Sequence, residues 1–341
     1  MIVFGAFPMT ISIVLCTYNG EKYLRRQLDS LRAQTLPPCE TLIADDASAD
    51  GTTALVSEYI RTHGLGNWTL TANRTNAGYR RNFRDTALGA RGEWIAFCDQ
   101  DDVWHPDKLE RLARLAQAYP RAQAVAGSFN LIDAEGRPVA AAEPLGQANH
   151  GMIHLPLAPG EVHVFSQNRR DTAMLLSGNV ALGCTMMVRR ETVETWARTT
   201  DLELVQDWEL ALCAWLTGGF CFLNEPVIDY RLHGANAVGL PESALTGARG
   251  PSLAGRVETM DRFDAARRYV KAQRLALGME PLDPMFGRYA VLRREALTRR
   301  SLAKWLALQR YHGLYADMFT RRQRLGDLFL ILFDEKRPNS R

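Results

Sequence analysis

The sequence predicts an α/β protein in which helices flank a mostly parallel sheet and a helical extension follows. Short apolar runs typical of buried strands alternate with segments whose apolar residues recur at helical spacing. Polar clusters follow three of the apolar runs, and after Gly239 the pattern becomes helical and basic. The 341 residues and near-average composition indicate a folded chain with room for a domain and an appendage.

The first half of the chain repeats a strand, loop and helix unit. Residues 11–16 form a continuous apolar run, and a helix with Leu24, Leu28 and Leu31 on one face is expected over 21–32. The next elements are a strand at 41–44, a helix containing Leu55, Val56, Tyr59 and Ile60, a strand at 68–70, a helix at 82–88, a strand at 94–98 and a helix opened by Pro106.

The second half is less regular. We expect a turn at 133–136, a loop-rich segment at 147–170 that lies over the site, strands at 184–188 and 220–223, and a helix at 208–216 between them. The expected division is one α/β domain over 1–240, with a Rossmann-like, mostly parallel half at 1–127 and a second half at 128–240. A helical basic region occupies 241–341.

The net charge of +3 conceals an uneven distribution. Residues 287–341 contain 13 Lys and Arg against 5 Asp and Glu, whereas the remainder contains 28 against 33. A mildly acidic body argues against a nucleic-acid groove, since such grooves concentrate Lys and Arg. The six cysteines are scattered without a Cys-x-x-Cys pair, so we expect buried thiols rather than disulfides or a zinc site.

The start of the chain has neither the charge nor the apolar length of a signal peptide, and no segment reaches the ~20 apolar residues of a membrane span. A cytoplasmic location is therefore expected.

Three polar clusters are expected at one edge of the sheet, beyond the carboxyl ends of the strands where ligands bind in such folds. Asp99-Gln100-Asp101-Asp102 places three carboxylates after a buried strand, and they repel one another unless a cation lies among them. Oxygen ligands suit Mg²⁺ or Mn²⁺, which bridges the phosphates of a nucleotide diphosphate. A turn that caps the next helix is the alternative, but capping accounts for one Asp rather than three.

The second cluster begins with Asp45 and Asp46, of which one is expected to accept hydrogen bonds from a base or ribose. Asp50, four residues later, is expected to cap a helix. The third cluster is Thr17-Tyr18-Asn19, in which Tyr18 either stacks on the base or covers the edge of the sheet.

Asp207 lies beside Trp208 among apolar residues at the start of a helix. It is either a general base with a raised pKa or a helix N-cap. Arg231 and His233, in Tyr230-Arg231-Leu232-His233 with Asn236, offer donors to phosphate or sugar hydroxyls, although a lone His is more often a packed or surface residue.

With these clusters in order, the chain resembles the family 2 glycosyltransferases of the GT-A fold over residues 10–239. The resemblance rests on Cys16-Thr17-Tyr18-Asn19-Gly20-Glu21, Asp45-Asp46-x-Ser48-x-Asp50-Gly51-Thr52, Asp99-x-Asp101 and Asp207. It implies that Asp46 contacts the base, that Asp99 and Asp101 hold ribose, metal and diphosphate, and that Asp207 deprotonates the acceptor with inversion at the anomeric carbon.

Three further stretches resemble bacterial rhamnosyltransferase-type members, which use dTDP-L-rhamnose to build surface polysaccharides. They are Asn76-x-Gly78 with Asn82-Phe83, Asp99-Gln100-Asp101-Asp102-Val103-Trp104 and Tyr230-Arg231-x-His233-x-x-Asn236. The sequence departs from the pattern at Ala47, where the family often has Gly, and at Leu232, where it often has Gln.

The resemblance gives a candidate set of site residues. The catalytic residue is Asp207, and the metal ligands are Asp99 and Asp101. The nucleotide-sugar contacts are Thr17, Tyr18, Asn19, Glu21, Asp46, Asn76, Arg80, Asp99, Gln100, Trp208, Arg231 and His233.

Other functions stay open at this point. The donor is dTDP-L-rhamnose or another sugar nucleotide such as a UDP-hexose. A sugar nucleotidyltransferase would need a glycine-rich loop after the first strand, where this chain has Thr17-Tyr18-Asn19-Gly20-Glu21. A non-enzymatic carbohydrate-binding protein would need neither Asp207 nor a metal cluster.

The acceptor is expected to be a saccharide or a lipid-linked saccharide. In the C-terminal region basic residues share helical turns with apolar ones, which is typical of helices that lie on an anionic membrane surface. Packing against the rest of the chain, or a dimer contact, explains the same pattern.

Overall fold

The structure is a computed structural model that describes residues 9–140, 148–200, 203–234, 252–319 and 321–333. The described residues form two compact units. The first comprises 9–140, 157–165, 181–200 and 203–234, and the second comprises 148–156, 166–180, 252–319 and 321–333. The second unit thus contains two segments from before residue 240 together with the C-terminal helices. Asn236 and Gly239 lie outside the described residues.

All the named strands belong to the first unit. In chain order they are β1 (Ile11–Thr17), β2 (Glu40–Asp45), β3 (Trp68–Ala72), β4 (Trp94–Cys98), β5 (Val103–Trp104), β6 (Ala124–Ile132), β7 (Val162–Phe165), β8 (Met186–Arg189) and β9 (Phe220–Arg231).

The first unit also contains six of the described α-helices. They are α1 (Glu21–Arg32), α2 (Thr52–His63), α3 (Tyr79–Leu88), α4 (Lys108–Ala118), α6 (Arg190–Thr199) and α7 (Gln206–Thr217). The second unit contains α5 (Arg169–Ser177), α8 (Leu253–Ala276), α9 (Pro284–Thr298), α10 (Leu302–Leu308), α11 (His312–Met318) and α12 (Arg321–Phe333).

The nine strands form one sheet in the order β3-β2-β1-β4-β8-β6-β9-β5, with β7 also paired to β9. The run β3-β2-β1-β4 is parallel, and β1 is buried along its whole length, as expected for a strand covered on both faces. In the other part β6 and β9 are parallel, whereas β8, β5 and β7 pair antiparallel. The α/β fold class is confirmed, and the parallel arrangement is concentrated in the first half of the chain.

The register of the parallel strands brings the predicted clusters together. Thr17 pairs with Asp45 across β1 and β2, and Leu15 pairs with Cys98 across β1 and β4. The chain segments that follow β1, β2 and β4 therefore leave the sheet at the same edge.

Three local predictions need correction. Helix α4 begins at Lys108, two residues beyond Pro106, and its N-cap is Asp107. Strand β9 continues to Arg231 although polar residues interrupt its apolar pattern at Asn224, because β6 pairs with it beyond a register shift. Helix α7 begins at Gln206 rather than Trp208, after the N-cap Val205.

The second unit is organised around a buried charge cluster. The Arg293 guanidinium in α9 donates to Asp327 in α12 over 2.8 and 3.3 Å, and the Tyr315 hydroxyl in α11 donates to Asp327 over 2.5 Å. Arg293 is fully buried, and Arg256 of α8 lies 3.2 Å from the same carboxylate. A buried carboxylate with this many partners fixes α12 against its neighbours.

No helix among the described residues is both long and apolar enough to cross a bilayer.

Candidate active site

The loop between β1 and α1 is held by side chains from two other segments. Asn19, in the left-handed region at φ 47°, donates its backbone N–H to Ser48, and its side-chain oxygen accepts from the N–H of Ala49. Glu21 accepts from the N–H of Gly51 over 2.9 Å. Thr17 donates to Asp45 over 2.9 Å and is buried. These contacts join the cluster Thr17-Tyr18-Asn19 to the cluster that begins with Asp45 and Asp46.

Gln100 clamps the same loop from the β4 side. Its amide oxygen accepts from the backbone N–H of Tyr18 over 2.8 Å, and its amide nitrogen donates to the carbonyl of Tyr18 over 3.0 Å. A Cβ at Gly20 would lie 2.2 Å from the Gln100 amide oxygen, so a larger residue there would displace the Gln100 side chain from Tyr18. The Tyr18 side chain is 49% exposed and is therefore free of packing that would keep a base away.

Asp45 and Asp46 both turn inward and hold backbone. Asp45 accepts from the N–H and hydroxyl of Ser48 over 2.8 and 2.5 Å, which forms the turn that contains Ala47. Asp46 accepts from the Asn73 side chain and from the N–H groups of Ala77 and Gly78, all within 2.9 Å. A carboxylate offers about four acceptor positions, so Asp46 keeps one for another donor.

The prediction that Asp50 caps α2 is wrong, because the N-cap is Gly51 and Asp50 lies one residue before it. Asp50 accepts from the N–H and hydroxyl of Thr52, the first residue of α2, and from the N–H of Glu21. The capping alternative for the cluster after β4 fails, since α4 is capped at Asp107, beyond the intervening strand β5.

The carboxylates after β4 lie in a strongly acidic environment. Burial and the neighbouring Asp101 and Asp207 carboxylates raise the pKa of Asp99 to about 7. Burial and the charges of Asp101 and Asp99 raise the pKa of Asp102 well above its usual range. Like charges this close favour protonation or a bound cation.

Asp101 and His233 are hydrogen-bonded partners. The His233 Nε2 atom lies 2.8 Å from the Asp101 carboxylate, and both side chains are mostly buried. On its other side the His233 ring contacts Tyr23 at a centroid distance of 4.8 Å. The structure thus brings the end of β9 to the cluster after β4, as the two separate motifs require.

Arg231 is fully buried and holds main chain. Its Nε donates to the carbonyl of Asp101 over 2.7 Å, its Nη1 donates to the carbonyl of Asp133 over 3.1 Å, and its backbone N–H donates to the Asp102 carboxylate. The guanidinium also lies 4.9 Å from the centre of the Tyr23 ring. Direct donor binding, which the sequence suggested, would need exposure that this side chain lacks.

Asp207 approaches the same carboxylates from α7. It is the second residue of the helix rather than its N-cap, which excludes the capping alternative. Its Oδ2 accepts from the N–H of Gly183 over 3.0 Å, and its Oδ1 accepts from the N–H of Trp208. Because its charge contributes to the raised pKa of Asp99, the two carboxylates share one site.

The motif order and this geometry agree with a family model. Residues 12–195 match the model described as glycosyl transferase family 2, which is more than half of the chain. The chain belongs to glycosyl transferase family 2.

Curated relatives of this glycosyltransferase extend over most of its length. An uncharacterized glycosyltransferase of Nostoc, alr2836, is 26% identical over 250 residues, covering 72% of each chain. The putative teichuronic acid biosynthesis glycosyltransferase TuaG of Bacillus subtilis is 28% identical over 228 residues, covering 65% of this chain and 79% of TuaG.

Solved structures support the GT-A fold of the glycosyltransferase. S. aureus TarS 1–349 in complex with UDP-GlcNAc aligns with a TM-score of 0.52 and 16% identity over 94% of this chain and 91% of that one. The mannosyltransferase PcManGT of Pyrobaculum calidifontis, in complex with GDP-Man and Mn²⁺, aligns with a TM-score of 0.51 and 16% identity over 96% and 88%.

Two groups of side chains in the glycosyltransferase could bind a metal. One is Asp99 with Asp102 and Cys184, and the other is Asp101 with His233. Asp99, Asp102 and Cys184 each offer one ligand atom within 4.8 Å of the others, while Asp101 lies against His233. Burial and the charges of Asp102 and Asp99 raise the pKa of the Cys184 thiol well above its usual range. A protonated thiol is a poor ligand for hard cations, so within the set of Asp99, Asp102 and Cys184 the carboxylate oxygens fit Mg²⁺ or Mn²⁺ better than the thiol.

The remaining predicted contacts differ in exposure. Asn76 is exposed and accepts from the N–H of Gly78, while Arg80 is half-buried with its Nε donating to Tyr79. Trp208 is only 3% exposed, so it supports α7 rather than presenting a face to the donor.

Sequence reasoning missed the support beneath the acidic cluster. Lys108 is fully buried, lies 3.1 Å from the centre of the Trp104 ring and donates to the carbonyl of Cys184 over 2.5 Å. Burial lowers its pKa to about 7. A lysine on the first turn of an amphipathic helix gives no sequence signal of burial.

The conformation of Ala47 is one that favours glycine. Its φ is 63°, in the left-handed region, where an L side chain costs about 1 kcal/mol or more. Because glycine recovers this strain but loses more chain entropy on folding, Ala47→Gly should stabilise the protein by about 0.5 kcal/mol. Thermal or urea unfolding measures the difference.

Ala49 provides the matched control in the same loop, since its φ is not positive. Ala49→Gly should destabilise the protein by up to about 1 kcal/mol. Equal loss of stability in both variants would show that the strain at Ala47 is not real.

Proposed function

We propose that the protein is a metal-dependent, inverting glycosyltransferase that moves a sugar from a nucleotide diphosphate to an acceptor hydroxyl. The observation that carries the proposal is the convergence of Asp207 from α7 with Asp99 and Asp101 after β4, seen in the raised pKa of Asp99. One carboxylate is thereby available for the acceptor, while two others face the diphosphate.

The donor would occupy the edge formed by the segments after β1, β2 and β4. Tyr18 has the exposed ring that base stacking requires, while the buried Asp46 acts through the N–H groups of Ala77 and Gly78 that it holds. Thr17, Asn19, Glu21 and Gln100 act by fixing this loop. Asn76 and Arg80 flank the loop that Asp46 holds, and Arg80 supplies a positive charge toward phosphate.

A divalent cation fits the acidic cluster because it removes the repulsion among the carboxylates. Asp99 and Asp101 would hold the cation. His233 would either orient Asp101 through their hydrogen bond or serve as a further ligand of the metal. When bound, Mg²⁺ or Mn²⁺ neutralises charge on the diphosphate leaving group.

Transfer then needs one proton movement and one displacement. Asp207 accepts the proton of the acceptor hydroxyl, and the acceptor oxygen forms a bond to the anomeric carbon. The bond from that carbon to the diphosphate oxygen breaks, and the diphosphate leaves with the electron pair. Attack opposite the leaving group inverts the anomeric configuration.

For the donor we propose dTDP-L-rhamnose, on the combined Asn76-x-Gly78, Asp99 to Trp104 and Tyr230-Arg231-x-His233 pattern. The relative TuaG bears a name from teichuronic acid biosynthesis, which favours a role in surface polysaccharide synthesis. The complexes of TarS with UDP-GlcNAc and of PcManGT with GDP-Man make another donor, such as a UDP-hexose, the alternative. Family membership disfavours a nucleotidyltransferase and a purely carbohydrate-binding protein.

The acceptor is proposed to be a saccharide or a lipid-linked saccharide. A lipid-linked acceptor would place the enzyme at the inner face of the cell membrane, held peripherally through its C-terminal helices.

Asp207→Asn should lower kcat by about 10²–10⁴-fold while the donor dissociation constant stays unchanged, because the amide keeps the bond from Gly183 but cannot accept a proton. Sugar transfer and donor titration measure the two effects separately. The exposed Asp85→Asn is the matched control and should behave as the parent. Transfer by the Asp207 variant at the parental rate would place the base elsewhere.

Mn²⁺ binding should depend on pH because the metal displaces the proton of Asp99. Below the pKa of about 7, affinity should rise by about tenfold per pH unit if one proton is released, and above it the affinity should level off. Calorimetric titration with Mn²⁺ alone measures this profile.

Asp99→Asn should weaken Mn²⁺ binding and flatten that pH profile, and Asp101→Ala should abolish binding together with donor turnover. Full activity in EDTA or in Asp101→Ala would refute the metal assignment.

A screen of sugar nucleotides should show the fastest release of nucleoside diphosphate from dTDP-L-rhamnose, since the motif pattern after β4 and at the end of β9 is shared with rhamnosyltransferase-type enzymes. Robust use of a UDP-hexose without turnover of dTDP-L-rhamnose would overturn the donor but leave the transfer mechanism intact.

A further inference from the structure

Helix α12 is apolar on two opposite faces. Its inward face carries Asp327, Leu330 and Ile331, which are buried, and the bonds of Asp327 to Arg293 and Tyr315 fix its rotation. A helix held this way cannot turn its other side inward. The outward face is therefore a permanent feature of the second unit.

The outward face carries the apolar stripe, defined as Leu325, Phe329, Leu332 and Phe333. These side chains are 53, 57, 48 and 64% exposed, and the rings of Phe329 and Phe333 lie 5.4 Å apart. At about 3.6 residues per turn they project from one side of the helix, opposite Asp327. Single exposed apolar residues are ordinary, but four on one helix face mark an interaction surface.

Positive charge borders the apolar stripe. Arg321 and Arg322 lie one turn before Leu325 on the same side of α12 and are exposed. No ion pair joins either of them to another residue of the described ranges. The only acidic residue of α12, Asp327, is buried on the inward face. Within the part of the chain that the structure describes, the outward face thus combines apolar side chains with cations that have no acidic partner.

Helix α10 also exposes apolar side chains. Helix α10, which packs beside α12, exposes Leu302 and Leu306, which are 44 and 55% accessible. Arg310, just beyond α10, is also exposed.

Charge decides what covers this surface. A second copy of the chain would cover the apolar stripe, but its α12 would bring no acidic side chain to Arg321 and Arg322, because the acidic residue of α12 is the buried Asp327. An anionic bilayer attracts the arginines and accepts the apolar side chains at the boundary of headgroups and acyl chains. With 13 residues α12 is about 20 Å long, so it would lie along the surface rather than span it.

We propose that the outward face of α12 is a docking surface for anionic membranes. Phe329 and Phe333 enter the interface, and Arg321 and Arg322 contact lipid phosphates. This binding goes beyond the transfer reaction, since it needs neither the donor nor Asp207. It would bring the enzyme to an acceptor carried by a lipid.

Flotation of the full-length protein with vesicles tests the proposal. At low salt the parent should float with vesicles of equal parts phosphatidylglycerol and phosphatidylcholine, and should not float with phosphatidylcholine alone. Each arginine near the surface contributes about fivefold to binding, so R321Q/R322Q should lower the partition coefficient by roughly 25-fold. F329S/F333S should lower it by more than about tenfold.

Two control variants change the same residue types elsewhere. R25Q/R121Q removes two exposed charges of the first unit, and L88S/L275S removes two apolar side chains that are 50 and 82% exposed. Both should bind vesicles as the parent does, and near-ultraviolet circular dichroism should show that all four variants are folded.

Three results would overturn the proposal. They are parent protein that stays unbound to phosphatidylglycerol vesicles, F329S/F333S that binds as tightly as L88S/L275S, and a concentration-dependent dimer that F329S/F333S dissociates while vesicle binding persists. Donor hydrolysis is measured in the same samples without vesicles, so loss of docking and loss of catalysis are separate outcomes.

Discussion

Mutual repulsion among carboxylates is the constraint on which the site depends. Asp99, Asp101 and Asp102 follow β4 within four residues, and Asp207 adds a further charge from α7. Burial makes their repulsion stronger, because it removes the water that would screen them, and the raised pKa of Asp99 is the direct consequence. This repulsion destabilises the folded protein unless a ligand supplies positive charge at the cluster. A divalent cation with a nucleotide diphosphate is the ligand that the arrangement fits.

Several buried groups hold the cluster in place from below. Arg231 binds the carbonyl of Asp101 and the backbone of the turn at 133–136, and Lys108 binds the carbonyl of Cys184. Asp45 and Asp46 play the same part at the end of β2, where their oxygens hold the segments around Ser48 and Gly78. The ligand-facing groups thus rest on charged residues that face inward, which is how a rigid acidic site is built at a sheet edge.

Periodicity predicted the first half of the fold well, because β1 and β4 are buried along their whole length and the helices between them have one apolar face. It failed where partners decide structure, as in β9, whose polar middle is stabilised only by pairing with β6. At the site, the motifs selected Asp99, Asp101 and Asp207, which the structure brings near one another, but spacing could not separate residues that face a ligand from those that hold main chain. Arg231 and Lys108 show why. A cationic side chain can bind either a ligand phosphate or a main-chain carbonyl, and only its burial in the structure shows which role it has.

The account assigns Asp207 to the acceptor and the carboxylates after β4 to the leaving diphosphate, so a single displacement with no covalent enzyme intermediate follows. The anomeric configuration of the product tests this most directly, and proton NMR of the first product formed from a donor of known configuration reads it. The account predicts the configuration opposite to that of the donor. Retention of the donor configuration would contradict it.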